Sequence, residues 1–341
     1  MNKMKSKMKF AVVGCGVIGS GWIARFLLMG FNVAIFDPDP NAEKRVRQAL
    51  TNARRSLPGL YDQLLPNEGK HEFCGSIAQA VAKADWICES APERLDFKHK
   101  VLQEIQQHCS EEAIISSSTS GFKPSELQQS SVNPDQIIVA HPFNPVYLMP
   151  LVEIVGAPKS ADYAASVISQ LGMYPLIIRK EIEAHIADRL LEAVWREGLW
   201  LVNDGIATTS EIDDAIRYGF GLRWAQMGMF ETYRIAGGEA GMAHFIAQFG
   251  PALQWPWSKL MDVPELSDEL ITKISSQSDQ QSGHYSITQL EHIRDDNLVG
   301  MMRALKLNNW GAGNLLNKVD LKLEQKNIKP HEPLNQRNKI H

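Results

Sequence analysis

The stretch from Phe10 to Asp37 limits the possible folds more than any other part of the chain. Phe10-Ala11-Val12-Val13 is an apolar run of the kind that forms a buried strand. It ends in Gly14-Cys15-Gly16-Val17-Ile18-Gly19, where a helix can open, and a second apolar run, Val33 to Phe36, ends on Asp37, 18 residues past the last glycine. Strand, glycine turn, helix, strand and terminal acid together make the layout of a dinucleotide-binding βαβ unit. Gly14 permits the tight turn, Gly16 lets a pyrophosphate approach the backbone, and Gly19 lets helix and strand pack closely. Cys15, Val17 and Ile18 lie in the same turn and are expected to line the cofactor with their backbone, where the helix N-terminus favours phosphate. Asp37 is placed to accept hydrogen bonds from the adenosine ribose. Its charge repels a 2′-phosphate, so the expected cofactor is NAD rather than NADP.

The 341 residues suggest about two domains. A net charge of −4 offers no electrostatic footprint for nucleic acid or a membrane surface. No apolar run approaches the ~18 residues of a membrane span. Cys15, Cys74, Cys88 and Cys109 form neither a CxxC pair nor a metal-like cluster, so no metal is expected, and reduced cysteines fit a cytoplasmic protein. Residues 1–8 are basic and Met-rich and read as a frayed extension. They do not read as a signal peptide, because the apolar run behind them carries the dinucleotide fingerprint.

Strand and helix patterns alternate through residues 10–178, as in a doubly wound sheet. From about Glu183 the pattern becomes helical. Ile186, Leu190, Val194 and Leu201 recur at helical spacing before Gly205, and Thr208-x-x-Glu211 is a capping box. The expected fold class is α/β, a Rossmann-type doubly wound sheet followed by an all-helical C-terminal domain. The expected divisions are a nucleotide domain over 1–184, a helical substrate and dimerisation domain over 185–320, and a polar tail over 321–341.

Three polar residues stand at or near strand ends beyond the nucleotide half: Ser120, His141 and Glu153. Oxidising an alcohol requires a base for the hydroxyl proton, and histidine suits this near neutral pH. A carboxylate on the far imidazole nitrogen would fix the tautomer, and a serine hydroxyl would hold the substrate oxygen. On residue types alone, a histidine at a strand end and a serine-rich turn serve structure as readily as catalysis.

These residues resemble the L-3-hydroxyacyl-CoA dehydrogenase superfamily. The resemblance rests on the fingerprint, Ser118-Thr119-Ser120, His141-Pro142-Phe143-Asn144-Pro145 and Leu151-Val152-Glu153-Ile154-Val155, with spacings of 21 and 12 residues between the three polar groups. It implies His141 as base, Glu153 as its partner, Ser120 on the substrate oxygen, Asn144 and Phe143 as substrate contacts, Glu93 and Lys98 on the cofactor side, and a homodimer. The family's asparagine before the arginine of the long helix is Asp188 here, before Arg189. That departure points to a branch acting on small acids without a CoA handle.

The runs 181–189, 219–228, 236–242 and 254–257 are similar to carnitine-oxidising members. This implies L-carnitine as substrate, with Arg223 on its carboxylate. Some of the aromatics between residues 195 and 257, which include Trp195, Trp200, Tyr218, Trp224, Phe230, Tyr233, Trp255 and Trp257, would form a cage for the quaternary ammonium, with Asp188 or Glu231 adding charge. A 3-hydroxyacyl-CoA or L-gulonate-type 3-hydroxyacid dehydrogenase, and a non-catalytic NAD-binding protein of the crystallin kind, stay open as alternatives.

Overall fold

The computed structural model describes residues 8–237, 241–251, 258, 265 and 267–327. Its first half is built on one sheet of eight strands: β1 (Phe10–Val13), β2 (Val33–Phe36), β3 (His71–Phe73), β4 (Trp86–Glu89), β5 (Ile114–Ser117), β6 (Ile137–Pro142), β7 (Leu151–Val155) and β8 (Tyr174–Ile177). Their order is β3-β2-β1-β4-β5-β6-β7-β8. Strands β1 to β6 are parallel, while β7 runs antiparallel to β6 and parallel to β8. The reversal has a local cause: only residues 143–150 join β6 to β7, too few for the crossover that a parallel pair needs.

The continuous apolar run of β1 is explained by burial on both faces. Phe10 and Val12 enter one hydrophobic cluster, Ala11 and Val13 the other. On the first face lie α1 (Val17–Leu28) and α2 (Ala42–Ser56); on the second lie α3 (Ile77–Val81), α4 (Leu95–His108) and the single turn α5 (Pro124–Leu127). Helix α6 (Pro158–Gln170) returns to the first face. It begins at Pro158, which suits a first helical turn, where no N–H is needed. Strand β3 leaves no signal in the sequence, since its three residues are all exposed at the sheet edge.

Beyond β8 the described residues form helices without strands: α7 (Ala187–Asn203), α8 (Thr209–Ala215), a wide turn over Ile216–Phe220, α9 (Gly221–Ala236), α10 (Gly241–Phe249), α11 (Asp268–Ser282), α12 (Ile287–Leu307) and α13 (Ala312–Asn327). Thr208 and Glu211 make the expected capping box. Helices α12 and α13 pack back on the sheet domain, where Met302, Leu316, Val319 and Leu323 join the cluster of α1 and α2. Among the described residues three ion pairs fasten this contact: Arg55 with Asp296 and Lys306 with Asp62, each at 2.5 Å, and Arg303 with Asp62 at 3.1 Å.

Two expected boundaries are corrected. A tail from residue 321 is contradicted by α13, which runs on to Asn327 and buries Leu323; the polar residues there are the outer face of one helix. Met8, expected in the frayed extension, is buried against the core. The rest of that extension, and the tail beyond 327, lie outside the described residues.

Candidate active site

The three glycines of the turn do three separate jobs. Gly14 has φ +97°, and a Cβ there would meet Ser90 O at 2.5 Å. A Cβ on Gly19 would lie 1.9 Å from Gly14 O, so its missing side chain is what brings helix against turn. A Cβ on Gly16 would meet no atom within 4 Å. That position opens on a cleft of about 640 Å³ bounded by Asp37, Arg45, Ser90 and Pro92. Asp37, just past the end of β2, accepts the Cys15 N–H at 2.5 Å and the Asp39 N–H at 2.8 Å, with the Arg45 guanidinium 3.5 Å away. Burial, helped by the Asp37 charge, pushes the Cys15 thiol up to about 12, so it stays a neutral wall of the turn. The open helix terminus and the acid at the strand end fit a dinucleotide of the NAD type.

Glu93 and Lys98 are brought together beside this cleft, in different roles. Lys98 is buried, with its ammonium 3.0 Å from Glu89, 3.1 Å from Ala91 O and 3.3 Å from Glu93. It neutralises the buried Glu89 carboxylate beneath the loop. Glu93 is half-exposed and accepts hydrogen bonds from the Thr119 hydroxyl and the Gly121 N–H, which ties the β4 loop to the turn carrying Ser120.

His141 and Glu153 are opposite residues of the antiparallel β6–β7 pair. The His141 Nδ1 lies 2.9 Å from Glu153 Oε2. The other Glu153 oxygen accepts the N–H groups of Ile186 and Ala187 at 3.0 and 2.9 Å, at the start of α7. Burial by itself would raise the Glu153 carboxyl, but the hydrogen bonds from His141, Ala187 and Ile186 outweigh it and hold the group below its ordinary value. Asp188, in the first turn of α7, puts Oδ2 3.7 Å from His141 Nε2. Phe143 stacks edge-on to His141 with ring centres 4.8 Å apart.

A further histidine, His185, is fully buried with its ring centre 5.4 Å from that of His141. Burial, then the charge of His141, lowers its pKa, so it stays neutral. Nothing local in the sequence marks it. Its position follows from Ala184 and His185 both adopting positive φ at the entry to α7.

Ser120 and Asn144 are exposed beside the cluster in sequence, on the turns that follow β5 and β6. Arg223 is exposed on α9, and Trp224 packs on Phe220 with ring centres 4.6 Å apart. Among the described residues no hydrogen bond, ion pair or ring contact joins Ser120, Asn144, Arg223 or Trp224 to the His141 group. Trp255 and Trp257 of the expected cage lie outside the described residues.

A parallel nucleotide-binding sheet with a histidine–carboxylate pair on the edge where the glycine turn lies is the arrangement of NAD-dependent dehydrogenases. Residues 9–181 match the family description "3-hydroxyacyl-CoA dehydrogenase, NAD binding domain", and residues 185–271 match "3-hydroxyacyl-CoA dehydrogenase, C-terminal domain". The chain belongs to the 3-hydroxyacyl-CoA dehydrogenase family.

Within the family it is 57% identical to an L-carnitine dehydrogenase of Mesorhizobium japonicum, over 90% of this chain and 87% of that one. It is 63% identical to an L-carnitine dehydrogenase/betainyl-CoA thioesterase of Ruegeria pomeroyi over 93% of this chain, and spans 66% of that relative's length. Among solved structures, the NAD-dependent dismutase 5-formyl-3-hydroxy-2-methylpyridine 4-carboxylic acid 5-dehydrogenase is similar, with a TM-score of 0.74 and 26% identity over 88% of this chain and 99% of that one.

Proposed function

We propose that the chain oxidises the 3-hydroxyl of L-carnitine to 3-dehydrocarnitine with NAD. The observation that carries the chemistry is the 2.9 Å contact between His141 Nδ1 and Glu153. With its proton on Nδ1 and held by Glu153, the imidazole keeps a free lone pair on Nε2, the state a general base needs. NAD supplies the hydride acceptor when bound along the Gly16 cleft. As hydride leaves the carbinol carbon, Nε2 takes the hydroxyl proton, and the ionised Glu153 stabilises the imidazolium that results. The two backbone N–H groups on Glu153 keep that carboxylate ionised and aimed, so base and partner need little reorganisation.

Family resemblance supports Ser120 on the substrate oxygen, Asn144 beside it, and Arg223 with Trp224 on the carboxylate side. The substrate assignment is supported by the names of the relatives and by Asp188 standing where CoA-using members carry asparagine. A homodimer through the helical half is supported by its exposed apolar side chains, Leu190, Trp195, Ile206, Leu222 and Phe230 among them. Four free cysteines fit a cytoplasmic location, and among the described residues no helix is long and apolar enough to cross a membrane.

The test is NADH formation from NAD with L-carnitine, D-carnitine, L-gulonate and a 3-hydroxyacyl-CoA. Rapid turnover of L-carnitine alone is expected. No NADH from L-carnitine at neutral or alkaline pH overturns the reading. NAD binding without turnover of any hydroxyacid would favour a non-catalytic protein.

A further inference from the structure

A charged group that the acid–base chemistry does not require faces the substrate side of the base. Glu153 already serves Nδ1 of His141, yet Asp188 places a second carboxylate 3.7 Å from Nε2. At that distance it makes no hydrogen bond to the base and leaves Nε2 free for the substrate hydroxyl. Its side chain is 19% exposed, so it borders solvent and the site together. Keeping a charge there is unfavourable: burial raises the Asp188 carboxyl above its ordinary value despite the pull of His141, and the Glu153 carboxylate adds to the rise. The charged or titratable groups facing it are His141, Glu153, His185 and, from its own helix, Glu192. Two carboxylates, Glu153 and Asp188, thus stand against the His141 ring, and among the described residues no lysine or arginine forms an ion pair with either. Phe143 meets the His141 ring edge-on with ring centres 4.8 Å apart, so an aromatic side chain also borders the base.

We infer that Asp188 and Phe143 form the subsite for the substrate's trimethylammonium group, which supplies the cation this cluster lacks. The inference rests on the proposed oxidation of L-carnitine. In that molecule the quaternary nitrogen is attached to the carbon next to the carbinol carbon. When the hydroxyl sits on Nε2, the ammonium is therefore carried to the neighbourhood of the base, where Asp188 stands. A quaternary ammonium has no N–H, so it asks for a nearby negative charge and an aromatic surface, not a hydrogen bond. The subsite thus lies beside the base, on α7 and the β6–β7 turn, and the aromatics around Trp224 on α9 are not needed for charge recognition. Asparagine at this position keeps the shape and removes the charge, so Asp188 sets specificity for a cationic substrate.

The test compares kcat/KM for L-carnitine and for its neutral isostere, in which carbon replaces the quaternary nitrogen, in wild-type and Asp188→Asn enzymes. The preference for L-carnitine over the isostere is expected to fall at least about tenfold in the variant, mainly through KM. An unchanged preference overturns the subsite. Tetramethylammonium is expected to inhibit the wild type competitively against L-carnitine, a measurement that needs no substitution and stands even where the variant does not fold. L-carnitine oxidation with no such inhibition overturns the subsite and leaves the proposed function intact. A wild type that makes no NADH from L-carnitine overturns both.

Discussion

His141 and Glu153 are paired residues on antiparallel neighbouring strands, and their side chains meet at 2.9 Å on the sheet edge that carries the dinucleotide turn. Because the register of two strands holds them, the contact does not depend on the conformation of a loop. Glu153 is locked further by two N–H groups of the α7 entry, so the same carboxylate orients the His141 imidazole and anchors the start of the helical half.

The first prediction concerns the proton. His141→Ala is expected to lower kcat by about 10²–10⁴-fold, the range for loss of a general base, with NAD affinity retained. Glu153→Gln should fall in a similar range, because the amide no longer stabilises the imidazolium. Steady-state kinetics beside NADH-binding fluorescence checks both. Normal turnover in His141→Ala would remove it as base.

A second prediction separates the glycines. Gly16→Ala places its methyl in open space, so the fold should keep its melting temperature while NAD binding weakens. Gly19→Ala drives its methyl into Gly14 O and should destabilise the protein by about 1–3 kcal/mol or more. Thermal melts and NAD titrations of the pair measure this, and equal loss of stability in both would contradict the division of roles.

Asp37 supports the third. Its carboxylate holds the Cys15 N–H and stands 3.5 Å from Arg45. Asp37→Ser removes the charge that repels a 2′-phosphate and leaves Arg45 nearby, so the ratio of kcat/KM for NAD over NADP should drop by about tenfold or more. A ratio that stays at the wild-type value would show that discrimination lies elsewhere.

The fourth is a pair of opposite pH effects on stability. The Glu153 carboxyl is lowered in the fold. Its stabilisation is therefore complete above the ordinary glutamate value of ~4.3 and is lost as pH falls through the lowered folded value. Asp188 is raised in the fold, so its ionisation costs stability at pH above that raised value, and the cost vanishes below the ordinary ~3.9. Glu153→Gln should melt below wild type at neutral pH, and Asp188→Asn above it. Both differences should shrink in acid. Melting curves across the acid range read the two signs directly, and a neutral-pH difference of the wrong sign in either variant refutes that assignment.

Much of the nucleotide half is legible in the sequence because its signals are local. The Phe10–Asp37 pattern and the capping box at Thr208 each depend on residues near one another in the chain. Edge strand β3 is not legible, since exposure on every residue removes the alternation that marks a strand. The packing of α12 and α13 on the sheet domain is not legible either. An amphipathic pattern shows that a helix has a buried face but does not name its partner, so Leu323 reads as part of a polar tail until α1 and α2 are seen beneath it.

The site divides in the same way. The sequence alone marked the acid at Asp37 and the three glycines by their places at strand ends, and offered Ser120, His141 and Glu153 as candidates through residue type and family resemblance. The tertiary structure decided what those residues touch. A strand reversal forced by the short 143–150 connection sets Glu153 opposite His141. Two positive-φ residues at 184–185 turn the chain so that α7 brings its N–H groups to Glu153 and Asp188 towards Nε2 of His141. Contacts across 33 or more residues of chain leave no periodicity behind. They arise from where the backbone is led, and only the folded chain holds that information.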